Sequence, residues 1–187
     1  MSYEMSKYSQ LTIQGAWVFE PTIHRDSGGL FRECFKASTI KEICGQEFNV
    51  SQANLSQSKK GTVRGIYFSL APEGQAKWIT CTSVRIWDVI VDIHPDSSTF
   101  KQWEAIELDA KSGNAVLISA GLGHSFVSSD DDSVIVYLLS SQYNPDYEFG
   151  INPLDPEINI NLLILIQLIS AKDRDAPTLR ESIRNLR

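Results

Sequence analysis

The feature that most constrains this chain is its punctuation: from residue 12 to residue 141 it breaks into short apolar-rich runs separated by turn residues. The runs are Thr12–Val18, Gly29–Phe35, Phe48–Ser56, Thr62–Leu70, Ala76–Thr82, Val84–Ile93, Trp103–Leu108, Asn114–Ile118, His124–Val127 and Val134–Ser141. Runs of this length and spacing predict the strands of an all-β sandwich or barrel rather than alternating βα units. Helix is minor. A short turn is expected at Thr39–Cys44, and a partly helical tail at Lys172–Arg187 with Pro177 at an early helical position.

With 187 residues the chain is expected to form one domain, 1–187, whose core needs neither disulfides nor metal. A net charge of −6, with 42% hydrophobic and 21% charged residues, excludes a disordered chain. It also removes the basic footprint of a nucleic-acid binder, although a local pocket of Arg and Lys can still hold a small anion. Cys34, Cys44 and Cys81 are odd in number and lack CxxC spacing, which predicts reduced thiols and a cytoplasmic location. The opening MSYEMSKYSQ has no apolar h-region. The apolar stretch Ile158–Ile169 carries Asn159, Asn161 and Gln167 and is shorter than the ~20 residues that cross a bilayer, so no membrane partner is expected.

Three histidines, His24, His94 and His124, are too few and too scattered for a cupin-type metal site, and no cofactor is expected. GxSxG, Gly-rich phosphate-loop and HExxH motifs are absent, which leaves hydrolase and kinase readings without support. Strand parity adds geometry. Gln52, Asn54 and Ser56 share a face with Phe48 and Val50; a surface is the commoner origin of such a polar row, and a barrel with a polar pocket gives the same one. Tyr137 and Tyr143 share parity, and lie on one face if the strand stays regular that far. Arg64 and Tyr67 have opposite parity, so both face one pocket only if the strand is irregular; Gly65 offers a bulge.

Six polar segments stand out: HRDSGGLFRE at 24–33, QANLSQSKKGTVRGIYF at 52–68, GQAKW at 74–78, GLGHSF at 121–126, VYLLSSQYNP at 136–145 and LISAKDRDAPTL at 168–179. In this order and spacing, across about residues 10–180, they resemble the dTDP-4-dehydrorhamnose 3,5-epimerase family, which epimerises nucleotide-linked 4-keto-6-deoxy sugars. The resemblance implies a cupin-like antiparallel jelly-roll barrel with a few short helices, a homodimer, a dTDP-linked keto-deoxysugar as ligand, and a metal-independent site inside the barrel.

The chemistry of such a reaction asks for three groups. A C4 ketone acidifies the protons on C3 and C5; a base removes one, a cation supports the enolate oxygen, and an acid on the opposite face returns a proton. By resemblance, Lys77 is the cation, Tyr137 the acid, and Asp173 the carboxylate that orients the base. The base itself departs from the family: its RGxH pattern reads Arg64-Gly65-Ile66-Tyr67, so Tyr67 stands where a histidine is expected. Phe31, Glu33, Gln52, Asn54, Arg64, His124 and Tyr143 match residues that line the nucleotide-sugar site. Other departures are Gly28 in place of a phosphate-contacting arginine, Val84 in place of glycine, and a missing tryptophan in NINLLIL.

Three functions follow. The first is an active nucleotide-sugar 3- and/or 5-epimerase of deoxysugar biosynthesis, in which an ammonium such as Lys77 favours the Tyr67 phenolate. The second is a homologue that binds nucleotide sugar without epimerising it. The third is a related keto-sugar isomerase using Lys77 and Tyr137.

Overall fold

A computed structural model describes residues 6–161 and 166–185. Its strands are β1 (Lys7–Gln10), β2 (Ala16–Glu20), β3 (His24–Asp26), β4 (Gly29–Phe31), β5 (Gln52–Ser58), β6 (Thr62–Ser69), β7 (Lys77–Ser83), β8 (Arg85–Val91), β9 (Trp103–Asp109), β10 (Ala115–Ile118), β11 (Gly123–Ser128), β12 (Ser133–Leu139), β13 (Glu148–Gly150) and β14 (Leu168–Ile169). Three short helices, α1 (Ala37–Cys44), α2 (Ala171–Arg174) and α3 (Leu179–Ser182), complete the description with a 3-10 turn at Ile183–Asn185. The first sheet runs β1-β2-β10-β7-β12-β5 and the second β13-β6-β11-β8-β9. Pairing within both is antiparallel, except that β14 joins β6 in parallel; β3 and β4 form a separate hairpin.

Alternation along the strands decides what lies between the sheets. Ile79 and Cys81 of β7, Ile135 of β12, Val116 and Ile118 of β10, Ile86 and Ile90 of β8, Leu108 of β9 and Phe126 of β11 form one buried cluster. Each large side chain buried in this way contributes about 1.5–3 kcal/mol. The outer face of the first sheet, Phe19, Trp78, Ala115 and Leu117, is covered by Ile40 of α1 and by Phe48. The outer face of the second sheet, including Ile66, Phe68, Val89 and Val91, is covered by Ile151, Ile158 and Leu179 from the C-terminal region. The tail is thus fastened to the strand that carries Tyr67.

Several sequence expectations are corrected. Residues 12–15 turn the chain between β1 and β2, where Leu11 N–H donates to the Ala16 carbonyl at 2.9 Å, so the strand starts at Ala16 instead of Thr12. The run Phe48–Ser56 becomes a strand only from Gln52, because Phe48 is used against α1; the strand from Gly29 stops at Phe31. Gln52, Asn54 and Ser56 form the inward row of β5 while Ala53, Leu55 and Gln57 are exposed, so the polar row lines a pocket and is not the outer surface. Pro177 precedes Thr178, the N-cap of α3, and lies outside the helix; Thr178 and Glu181 form a capping box. Residues 162–165 of the apolar Ile158–Ile169 stretch, and part of NINLLIL, lie outside the described residues. No helix among the described residues is long and apolar enough to cross a membrane.

Candidate active site

At one end of the inter-sheet space the apolar rows give way to polar side chains. On the first sheet, β7 turns Lys77 inward in line with Ile79 and Cys81 while Trp78 points to the outer cluster. On β12, Tyr137 follows Ile135, and it pairs with Asn54 of β5 and Ile79 of β7. Lys77 is buried, and its Nζ lies 3.5 Å from the Tyr67 carbonyl. Burial pulls the ammonium below the ordinary lysine range, and the carboxylates of Glu148 and Asp88 oppose that shift. Glu148 in turn accepts a hydrogen bond from Gln75 Nε2 at 3.0 Å.

The second sheet supplies the other wall through an irregularity. His124 pairs with Tyr67, but Ser125 pairs with Gly65 and Phe126 with Arg64, so β6 carries an extra residue, Ile66, at this point. The Ile66 N–H and carbonyl bond instead to Ile151 of the C-terminal segment, at 3.0 and 2.9 Å. The shift lets Arg64 and Tyr67 face the same cavity despite their opposite parity, as Gly65 suggested. Gly65 has a φ of +111°, and a Cβ there would sit 2.5 Å from the His124 carbonyl oxygen.

Two carboxylates anchor this wall. Asp173, buried on α2, accepts from Ser170 Oγ at 2.7 Å, and its carboxylate acts on the nearby Tyr67 hydroxyl. Burial, followed by the Asp173 carboxylate, pushes the Tyr67 phenol well above the usual tyrosine range; Arg64 and the Gly65 backbone only partly offset this. The expectation that Lys77 favours the phenolate is therefore overturned: the ammonium meets the Tyr67 backbone, and the hydroxyl faces a carboxylate. Lys172 sits over the Tyr67 ring at 5.6 Å. Asp88 interrupts the inward Ile86–Ile90 row of β8, is completely buried, and lies 2.7 Å from His124 Nε2.

Between the walls is a cleft of ≈ 220 Å³ lined by Asn54, Tyr67, Gln75, Lys77, Tyr137 and Tyr143, among others. An adjoining pocket of ≈ 80 Å³ shares Tyr67, Lys77 and Tyr137 with it and adds Ser56, Arg64 and His124. Gln52 stands behind the cleft, donating to Asn54 Oδ1 at 2.9 Å and accepting from Tyr143 N–H at 2.8 Å. Tyr143 reaches the cleft from beyond the end of β12, so strand parity is not what places it beside Tyr137.

Phe31 and Glu33 are not brought to this cavity. Phe31 is 65% exposed on the β3–β4 hairpin, and Glu33 lines a separate cleft with Trp78 and Ala115 on the outer face of the first sheet. Sequence reasoning missed Asp88, Gln75, Glu148 and Lys172. Asp88 had a legible signal, a lone carboxylate at an inward position of an apolar strand, which demands a partner; the other three come from loops, a short edge strand and the tail, where no periodicity speaks. Among the described residues no group of three or more His, Cys, Asp or Glu side chains is placed to hold a metal ion. Of the departures, Val84 adopts a φ of 61°, a left-handed conformation that favours glycine. Gly28 sits in a turn in which its N–H donates to Asp26 Oδ1 at 2.8 Å.

The model of the family described as dTDP-4-dehydrorhamnose 3,5-epimerase matches residues 10–181. The chain belongs to this family. It is 43% identical over 170 residues to a dTDP-4-dehydro-6-deoxyglucose 3-epimerase of a Streptomyces species, covering 90% of this chain and 87% of that protein. Among solved structures it is similar to NovW, a 4-keto-6-deoxy sugar epimerase of Streptomyces spheroides, with a TM-score of 0.93, 37% identity, and coverage of 97% and 92%. It is also similar to ChmJ, a 3'-monoepimerase of Streptomyces bikiniensis in complex with dTDP-quinovose, with a TM-score of 0.89, 41% identity, and coverage of 94% and 89%. The fold is thus the cupin-like jelly roll expected, and the chain is an enzyme of the carbohydrate epimerases. Readings as a silent binder or a keto-sugar isomerase are not favoured.

Proposed function

We propose that the protein epimerises a dTDP-linked 4-keto-6-deoxysugar at C3, C5 or both, by removing and returning a proton beside the C4 ketone. The observation that supports this most is the pair of facing walls: Lys77 and Tyr137 on the first sheet, Tyr67 and His124 on the second, around one cavity. In this reading the Lys77 ammonium donates to the ketone oxygen as it becomes an enolate. A buried cation aimed at developing negative charge is worth far more than one in water. Tyr137 delivers its hydroxyl proton to the face opposite the base, which inverts the carbon. Arg64, Gln52, Asn54 and Tyr143 hold the nucleotide diphosphate and sugar, and Asp173 orients the side chain at position 67.

Phe31 and Glu33 belong to the nucleotide site by resemblance yet lie outside this cavity, with Leu30 and Phe31 exposed on a projecting hairpin. A homodimer in which the hairpin of one copy reaches the cavity of the other reconciles the two. Three unbridged cysteines fit action in the reducing cytoplasm. The test is proton NMR of dTDP-4-keto-6-deoxyglucose with the protein in heavy water. Loss of the H3 signal, the H5 signal or both identifies the centre; retention of both signals, with dTDP still bound, overturns the reading.

A further inference from the structure

Tyr67 stands where the reaction needs a base, yet its hydroxyl is engaged with Asp173 and its proton is held more tightly than in an ordinary tyrosine. The cavity holds a second side chain suited to the task. His124 is the direct cross-strand partner of Tyr67, so their side chains leave the same face of the sheet with Cβ atoms about 5 Å apart. Its ring lines the cavity with Lys77 and Tyr137, which come from the opposite sheet. The carboxylate of Asp88 can only accept at His124 Nε2, which fixes the proton on that nitrogen and leaves the Nδ1 lone pair available. Nδ1 has no protein hydrogen-bond partner among the described residues. Asp88 has no other side-chain hydrogen-bond partner among the described residues, and its Oδ1 is buried and unpaired, so its hydrogen bonding is committed to the imidazole.

We propose that His124, held by Asp88, is the catalytic base of this chain, one strand over from the position Tyr67 occupies. The proposal rests on the epimerase reading above. His124 Nδ1 forms the new N–H bond as the C–H bond beside the ketone breaks, and that electron pair moves into the C4 enolate supported by Lys77. Tyr137 returns a proton from the first-sheet wall; the imidazolium then loses its proton to water and the tyrosinate regains one. Because the two groups stand on opposite walls, removal and return act on opposite faces of the ring. Tyr67, tied to Asp173, becomes a wall of the cavity that donates nothing to the proton transfer.

The test compares solvent-deuterium exchange into dTDP-4-keto-6-deoxyglucose for wild type, His124→Gln, Asp88→Asn and Tyr67→Phe, with dTDP affinity measured by calorimetry for each. Glutamine keeps a donor near the sugar but cannot act as a base, so His124→Gln is expected to lose at least about 100-fold in exchange rate. Asp88→Asn loses about 10-fold or more by releasing the ring. Tyr67→Phe is read by the shape of its pH profile rather than by its rate, and dTDP affinity in each variant separates lost binding from lost chemistry. The groups facing His124 are Asp88 on β8, Arg64 and Tyr67 on β6, Lys77 on β7 and Tyr137 on β12. The pH profile of exchange is expected to change in Asp88→Asn, which releases the ring, and to keep its wild-type shape in Tyr67→Phe. Exchange that survives His124→Gln, or a pH profile whose shape changes in Tyr67→Phe, overturns the proposal and leaves the epimerase reading standing. If His124→Gln does not fold, a wild-type rate and pH profile in Asp88→Asn overturns it. Absence of exchange in the wild type, with dTDP bound, overturns both.

Discussion

The two walls of the cavity are built by different rules. The first-sheet wall is regular at the cavity: β5, β7 and β12 stay in register around Lys77, Tyr137 and Asn54, the rows continue into the apolar cluster as Ile79, Cys81 and Ile135, and the one register shift between β12 and β7 falls beyond them, between Val134 and Ile135. The second-sheet wall is irregular: the extra residue Ile66 and the glycine at 65 re-aim β6, and the C-terminal segment repairs the broken ladder through Ile151. Lys77 and Tyr137, which match the family, stand on the regular wall, and the substitution at Tyr67 falls on the irregular one. A regular wall fixes each side chain through its neighbours in the row. An irregular wall holds its side chains by individual partners, Tyr67 beside the Asp173 carboxylate and His124 hydrogen-bonded to Asp88, so one identity can change while the cavity keeps its shape.

The largest expected effect tests the regular wall. Lys77→Met removes the cation, and exchange at the carbon beside the ketone should fall by about 1,000-fold while dTDP affinity measured by calorimetry is retained. A loss of less than about 10-fold would show that the enolate is supported from the other wall. The irregular wall is broken next. Gly65→Ala forces a Cβ against the His124 carbonyl in a left-handed conformation, and urea unfolding should report a loss of about 3 kcal/mol. An unchanged midpoint would mean that β6 can pair without its extra residue.

The smallest effect lies away from both walls. Val84 holds a φ of 61° at the turn between β7 and β8, with its side chain largely exposed. Val84→Gly should raise stability by about 1 kcal/mol, read as a higher melting temperature with exchange activity unchanged. A lower melting temperature would show that the exposed valine makes contacts worth more than its backbone conformation costs.

The same contrast explains what was legible in the sequence. Lys77 and Tyr137 were assigned by the resemblance of their segments to the family, and the turn residues that bound β7 and β12 made both runs recognisable as strands. Arg64 and Tyr67 could not be placed on one face by parity; only the glycine between them hinted at the bulge. The pairing of Tyr67 with Asp173 depends on a tail that reaches β6 through β14, a two-residue parallel addition that leaves no periodic trace. Asp88 announced itself as a charge in an apolar row, but its partner is set by the register of β11 against β8, which the sequence does not encode locally. Phe31 and Glu33 matched a site to which the fold of the chain does not bring them.

The proton transfer depends most directly on the position of the sugar between the two walls. A crystal structure of the protein with dTDP-quinovose measures it. The hexose ring is expected in the cavity with O4 turned towards Lys77, His124 against one face and Tyr137 against the other. A hexose bound outside the cavity, or with His124 and Tyr137 on the same face, would contradict it.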